Sequence, residues 1–123
     1  MNSKRKGSQG EREIVQILRD HGLAAYRGDQ RYVGGYGNPD VLTDIAGKPF
    51  HLEVKRAENL RVSDWLAQVI YDIQPTPERV PAVVFRRNRD RWWIIQPLES
   101  FLQATGAEDC SASTSETPSE SKI

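Results

Sequence analysis

Asn38-Pro39-Asp40-Val41-Leu42-Thr43-Asp44-Ile45-Ala46-Gly47-Lys48-Pro49-Phe50-His51-Leu52-Glu53-Val54-Lys55-Arg56 holds two strand patterns joined by a turn. The second pattern alternates. Phe50, Leu52 and Val54 fall on one face of a strand, and His51, Glu53 and Lys55 on the other. A core explains the apolar set. The polar set gains nothing from packing. Ala46 to Pro49 is turn chemistry, with Gly47 permissive and Pro49 opposing a continuing central strand. Val41 to Ile45 is a short strand, so the pair reads as a hairpin. Asp40 opens one strand and Glu53 to Lys55 close the other, so the three meet at one edge.

Two carboxylates converging beside a lysine suit Mg²⁺, which takes carboxylate oxygens at roughly 2.0–2.1 Å and keeps several waters. Mn²⁺ suits the same oxygen donors. Such an ion polarises a phosphoryl oxygen and lowers the pKa of a bound water. Lys55 would hold that water or stabilise charge developing on a phosphate. Taken alone, Glu53 and Lys55 fit a salt-bridged hairpin equally well. The Pro39-Asp40 pair across the turn favours a site.

Pro39-Asp40 followed by Glu53-Val54-Lys55 resembles the P-D…(D/E)-x-K signature of a large nuclease superfamily. Lys6-Gly7, Gly10 to Glu13, Arg27-Gly28, Gly34-Gly35, Pro39 to Val41 and His51 to Arg56 narrow the likeness. Together they resemble the small Holliday-junction resolvases of archaea, and still more the resolvase-like endonucleases of bacterial viruses and prophages. The likeness covers residues 4 to 102. It implies a restriction-endonuclease-like fold and Mg²⁺-dependent hydrolysis of DNA phosphodiesters, at four-way junctions, by a homodimer. On that model Asp40, Glu53, Glu11 and the Val54 carbonyl hold metal. Lys55 activates water, and Gln68 matches a glutamine that recurs beside the site. The archaeal enzymes carry a functional serine before the Pro-Asp, whereas residues 28 to 37 hold neither Ser nor Thr. The likeness therefore carries nuclease chemistry further than junction specificity.

At 123 residues and 37% hydrophobic content, with three Trp, the chain suffices for one sheet-centred domain. Its formal net charge is zero, which at first argues against a nucleic-acid partner. The charge is unevenly spread. Glu108, Asp109, Glu116 and Glu120 against Lys122 give the tail −3, leaving +3 on residues 1 to 104. A single cysteine, Cys110, fits a reducing compartment, and no apolar run reaches the length of a signal core or membrane helix. These features predict a soluble, cytoplasmic protein with no membrane partner (in the host cytoplasm if viral).

The basic start, Lys4-Arg5-Lys6, is a frayed end or a phosphate-contacting arm with Lys6 in it. Ser8 is a candidate N-cap for a helix to Asp20 or His21, stopped by Gly22. Glu11 lies near its apolar face, where an acid needs a partner, although the helix dipole also favours an acid in the first turn. Glu13 lies farther toward solvent. Leu23 to Arg27 reads as a strand. The glycine-rich loop 28 to 37 would let DNA approach Arg27, Gln30, Arg31, Tyr32 and Tyr36, or serve as a permissive linker. Arg56 follows the signature as a further DNA contact. Ser63 suggests an N-cap for a helix to Ile73 with Trp65, Leu66, Val69, Ile70 and Ile73 as its stripe. Pro81 to Arg86 and Arg91 to Gln96 form a second hairpin, with Trp92 and Trp93 on opposite faces. Arg87 and Arg89 in its turn suit either a DNA backbone or a charged edge that blocks aggregation. Pro97 starts a short last helix.

The order α-β-β-β-α-β-β-α predicts an α/β domain over 1–104, with a mixed sheet of about five strands, and a disordered tail over 105–123. Two other readings stay open, a less selective DNA repair or restriction-type endonuclease and a non-catalytic DNA-binding module. An RNA substrate is weaker than either. The tail has no apolar anchor, so deleting residues 106 to 123 should leave the melting temperature within a degree or two of the full chain in a thermal unfolding scan.

Overall fold

The computed structural model describes residues 3–28 and 38–106. Lys55 and its neighbours sit on the central strand of a five-stranded sheet with helices on both faces. In chain order the elements are α1 (Ser3–Asp20), β1 (Ala25–Arg27), β2 (Val41–Ile45), β3 (Lys48–Arg56), α2 (Val62–Asp72), β4 (Val80–Arg86), β5 (Trp93–Ile95) and α3 (Leu98–Ala104). The strands lie in sequence order. Neighbours pair antiparallel except β3 and β4, which run parallel. A parallel pair needs a long crossover, and α2 supplies it.

The alternation of β3 decides what each helix covers. Phe50, Leu52 and Val54 join Ile14 and Val15 of α1, Val41 of β2, and Val80, Ala82 and Val84 of β4 in the larger core. The opposite face packs Val83 against Trp65 and Val69 of α2, with Phe85 and Ile95 at its margin. Trp65 and Phe85 meet as tilted rings 5.8 Å apart. This second core is small, and the rest of its face carries His51 and Glu53.

Several element ends differ from the expected ones. α1 begins at Ser3, not after Ser8, because Lys4, Arg5 and Lys6 are good helix formers that carry it back through Gly7. It ends as expected at Gly22, whose φ of 82° is left-handed. There the amide of Leu23 donates to the Leu18 carbonyl at 3.0 Å and that of Gly22 to Arg19 at 2.9 Å, a Schellman closure. The strand from Leu23 is only Ala25–Arg27, since this closure occupies its first residues. α2 begins at Val62 after Arg61, without a side-chain cap, so Ser63 lies inside the first turn. Ile70 on that helix is exposed. β5 is limited to Trp93–Ile95, although Trp92 and Trp93 do face opposite ways, Trp92 onto the larger core and Trp93 half-exposed.

The hairpin turn is the two residues Ala46 and Gly47, both at positive φ, with Ile45 opposite Lys48. This is the turn whose twist matches paired strands. Pro49 therefore sits inside β3 and not in the turn. Pairing of β3 with β4 starts only at Phe50, so the missing amide of Pro49 costs that ladder nothing. At the other end, Thr105 and Gly106 close α3, and residues 107–123 lie outside the described part.

Gly10 sets the approach of α1 to the sheet. A Cβ there would stand 3.1 Å from Arg56 Cγ and 3.3 Å from Val54 Cγ1, whereas one at Gly7 would meet nothing within 4 Å. Gly10→Val should lower unfolding free energy by about 1–3 kcal/mol through overpacking. Gly7→Ala should raise it by about 0.5 kcal/mol through helix propensity. Urea unfolding of the two variants beside the parent checks both signs.

Candidate active site

Antiparallel pairing of Val41 with Leu52 ends the β2–β3 ladder beside Glu53, and Asp40 stands one residue before Val41. Backbone bonds fix that register. The Asp40 amide donates to the Leu52 carbonyl at 3.1 Å, and the Gly28 amide donates to the Asp40 carbonyl at 3.1 Å. The Asp40 carboxylate turns onto β3, where Oδ2 accepts the Val54 amide at 2.8 Å. Glu53 is 9% exposed and its Oε1 has no hydrogen-bond partner. Lys55 Nζ lies 3.7 Å from Glu53 Oε2. The pair from the signature and its lysine therefore do meet.

Their electrostatics are strained. Burial pushes Asp40 up to about 6, helped by the charges of Glu11 and Asp72 and opposed by the Val54 amide and Lys55. Glu53 rises to about 7, first through burial and next through the charge of Asp40, against the pull of Lys55. Asp72 and Glu11 add to that rise. Glu11 is thus felt by both acids from α1. Its own Oε1 accepts Arg27 Nε at 3.0 Å, so Arg27 meets an acid of the site.

The other expected contacts separate. Arg56, expected at the surface, is nearly enclosed, with Nη1 3.8 Å from Glu13 and Nη2 donating to Asn88 at 3.1 Å. Glu13, expected toward solvent, instead binds Arg56, Arg86 at 3.4 Å and the Trp92 indole at 3.2 Å, so this cluster braces α1 on the sheet. Arg87 donates to the Glu58 carbonyl at 3.2 Å, and Arg89 is exposed at the same turn. Gln68 donates to Asp72 at 2.9 Å. The Lys6 side chain and Gln30, Arg31, Tyr32 and Tyr36 lie outside the described residues.

The family model of a phage putative PDDEXK endonuclease matches residues 2–118, almost the whole chain. The chain belongs to that family. As a PDDEXK-family nuclease it also has a solved structural relative. This is Hjc of Archaeoglobus fulgidus, a Holliday junction resolvase from an archaeal hyperthermophile. The likeness has a TM-score of 0.55 at 21% identity, over 72% of this chain and 74% of that one. The five-stranded mixed sheet flanked by helices is accordingly the restriction-endonuclease-like fold. No curated protein matches the chain. No described helix is long and apolar enough to cross a membrane.

Sequence reasoning for this PDDEXK chain missed two site-facing residues. His51 is completely buried beside Glu53, and Asp72 of α2 is 6% exposed. Ligand atoms of His51, Glu53 and Asp72 all lie within 4.8 Å of one another. Alternation had already put His51 on the Glu53 face. The signal for Asp72 was its place in the buried stripe of α2 with Trp65 and Val69, where an acid is out of character.

The raised value of Glu53 has a definite sign. Folding holds its proton between the ordinary 4.5 and about 7, so the stability it contributes is full below pH 4.5 and lost as pH rises through 7. His51, lowered from 6.5 to about 4 by burial, works oppositely and loses its contribution as pH falls through 4. Glu53→Gln isolates the first effect. With chelator present, it should be more stable than the parent at pH 8 by about 1–3 kcal/mol, the advantage shrinking by pH 5.5. Urea titrations at the two pH values decide it.

Proposed function

We propose that this chain is a divalent-metal-dependent, structure-selective endodeoxyribonuclease acting on four-way DNA junctions as a homodimer. The carrying observation is the pair Asp40 and Glu53. One is half-buried just before β2 and the other is buried on β3, and Glu53 Oε1 has no partner. Buried anions without a full countercharge fit a bound cation. Mg²⁺, with Mn²⁺ as a substitute, would be held by Asp40, Glu53 and the Val54 carbonyl, with Glu11 at the edge of the set. When bound, it supplies a Lewis acid and a water of lowered pKa.

The chain's own groups do the rest. The Val54 amide keeps Asp40 turned onto β3. Lys55, on the same face two residues beyond Glu53, orients the attacking water and stabilises negative charge on the phosphate. Arg27, beside Glu11 at 3.0 Å, meets the DNA backbone near the cut. Arg87 and Arg89 grip it farther out, with Lys6, Gln30, Arg31 and Tyr32 as further contacts. Gln68 acts through Asp72 rather than on the phosphate itself. Two opposed cuts in one junction suit a two-fold dimer.

A less selective DNA endonuclease is the second reading, favoured by the absence of Ser and Thr from residues 28 to 37. Single-turnover cleavage of matched junction, flap and linear duplex, with and without Mg²⁺, separates the two. Asp40→Asn should abolish cutting while gel-shift affinity stays equal or tightens, because a repelling charge is removed from beside the phosphate. Lys55→Ala should also be inactive, with somewhat weaker binding. Neutralising Arg87 and Arg89 together should weaken binding and flatten its salt dependence, by roughly one unit of slope for each phosphate no longer neutralised. Cutting at saturating enzyme should largely persist in that variant. Near-parental cutting by Asp40→Asn in Mg²⁺ would refute the metal site.

A further inference from the structure

Below the acid pair, on the α2 side of the sheet, a second group of donors has no assigned task. His51 is 0% exposed, and neither of its ring nitrogens has a hydrogen-bond partner. Leaving such groups unpaired in a core carries their full desolvation cost. Two carboxylates lie within reach of the His51 ring, Glu53 and Asp72. Glu53 Oε1 is likewise buried and unpartnered. Asp72 Oδ1 is fixed by the Gln68 amide at 2.9 Å, which aims the carboxylate as an outer-shell partner does in metal sites.

We propose that His51, Glu53 and Asp72 form a second cation site, one strand step deeper than Asp40, which takes a divalent first-row transition ion. The three donor atoms all lie within 4.8 Å of one another. One ion there would satisfy an orphaned imidazole nitrogen, an orphaned carboxylate oxygen and a carboxylate already aimed at them. The nitrogen donor sets the class of ion. Imidazole suits iron, nickel, copper and zinc, and Mn²⁺ accepts it beside carboxylate oxygens, whereas Mg²⁺ and Ca²⁺ prefer oxygen alone. The site ties the last turn of α2 to β3, and Gln68 serves it as a positioning residue. It rests on the proposed function only through Glu53, which the two sites share.

A histidinium held between the two acids would satisfy the same groups without a metal, so the test must see nitrogen on the ion. The chain has two histidines, and His21 is exposed at the end of α1. His21→Gln therefore leaves His51 as the only imidazole. Loaded with Mn²⁺, this variant should show imidazole ¹⁴N modulation in pulsed electron paramagnetic resonance. It should keep the modulation when Asp40→Asn is added. Adding Asp72→Asn should weaken the nitrogen-ligated ion at least tenfold, and adding Gln68→Ala should weaken it by about 10–100-fold. Absence of ¹⁴N modulation in the Mn²⁺-saturated His21→Gln protein overturns the site, whether or not Mn²⁺ binds elsewhere. Unchanged affinity in the Asp72→Asn variant overturns it too. Modulation without any metal-dependent DNA cleavage would leave the site standing and remove the nuclease mechanism. Cleavage without modulation would do the reverse.

Discussion

The amide of Val54, donating to Asp40 at 2.8 Å, is the bond on which the site depends. It joins the residue before β2 to the C-terminal end of β3, and so converts strand register into carboxylate geometry. A shift of one residue in that pairing would turn His51, Glu53 and Lys55 to the α1 face and bring Phe50, Leu52 and Val54 out of their core. The apolar residues of β3 thus hold the polar ones in place. The larger core supplies the stability, and the smaller face can carry charge because of it.

Charge on that face is expensive. Asp40 and Glu53 are both raised by burial, and the charge of Asp40 raises Glu53 further, so the cation-free protein holds part of its proton load into the neutral range. Natural proteins store such strain at functional sites and support it from elsewhere. Here the support lies across the sheet. Glu13 gathers Arg56, Arg86 and the Trp92 indole, and the Arg86 guanidinium lies 5.4 Å from the centre of the Trp92 ring. Gly10 lets α1 come close enough for the cluster to form.

The fold was legible where patterning was strong. Period-two alternation in β3, the apolar run of β4 and the Gly22 stop of α1 each have one dominant cause, and each appears as read. Element starts were less legible. Ser8 and Ser63 are good caps by chemistry, yet α1 continues back to Ser3 and α2 begins at Val62 without a side-chain cap. Cap preference is weak beside packing. In the site, Asp40, Glu53 and Lys55 were readable because local strand geometry alone brings them together. Glu13, Arg56 and Asp72 were misread or missed because their partners lie on distant elements. Trp92, Asn88 and His51 cannot be paired with them by periodicity.

Those long-range pairs also change how the charge of the domain should be counted. Residues 1 to 104 are basic by simple count, but Glu13 occupies Arg56 and Arg86, Glu11 occupies Arg27, and Asp64 lies 3.4 Å from Arg61. Among the described residues, what faces the site is therefore mainly acid, with Asp40, Glu53, Asp72 and Glu11 opposed chiefly by Lys55 and Arg27. A phosphodiester approaching that surface meets repulsion on the scale of several kT unless cations are bound first. On the proposed function, metal binding and DNA binding would thus be linked through one electrostatic cost. The ion that would make the water reactive would also make the surface habitable for the substrate.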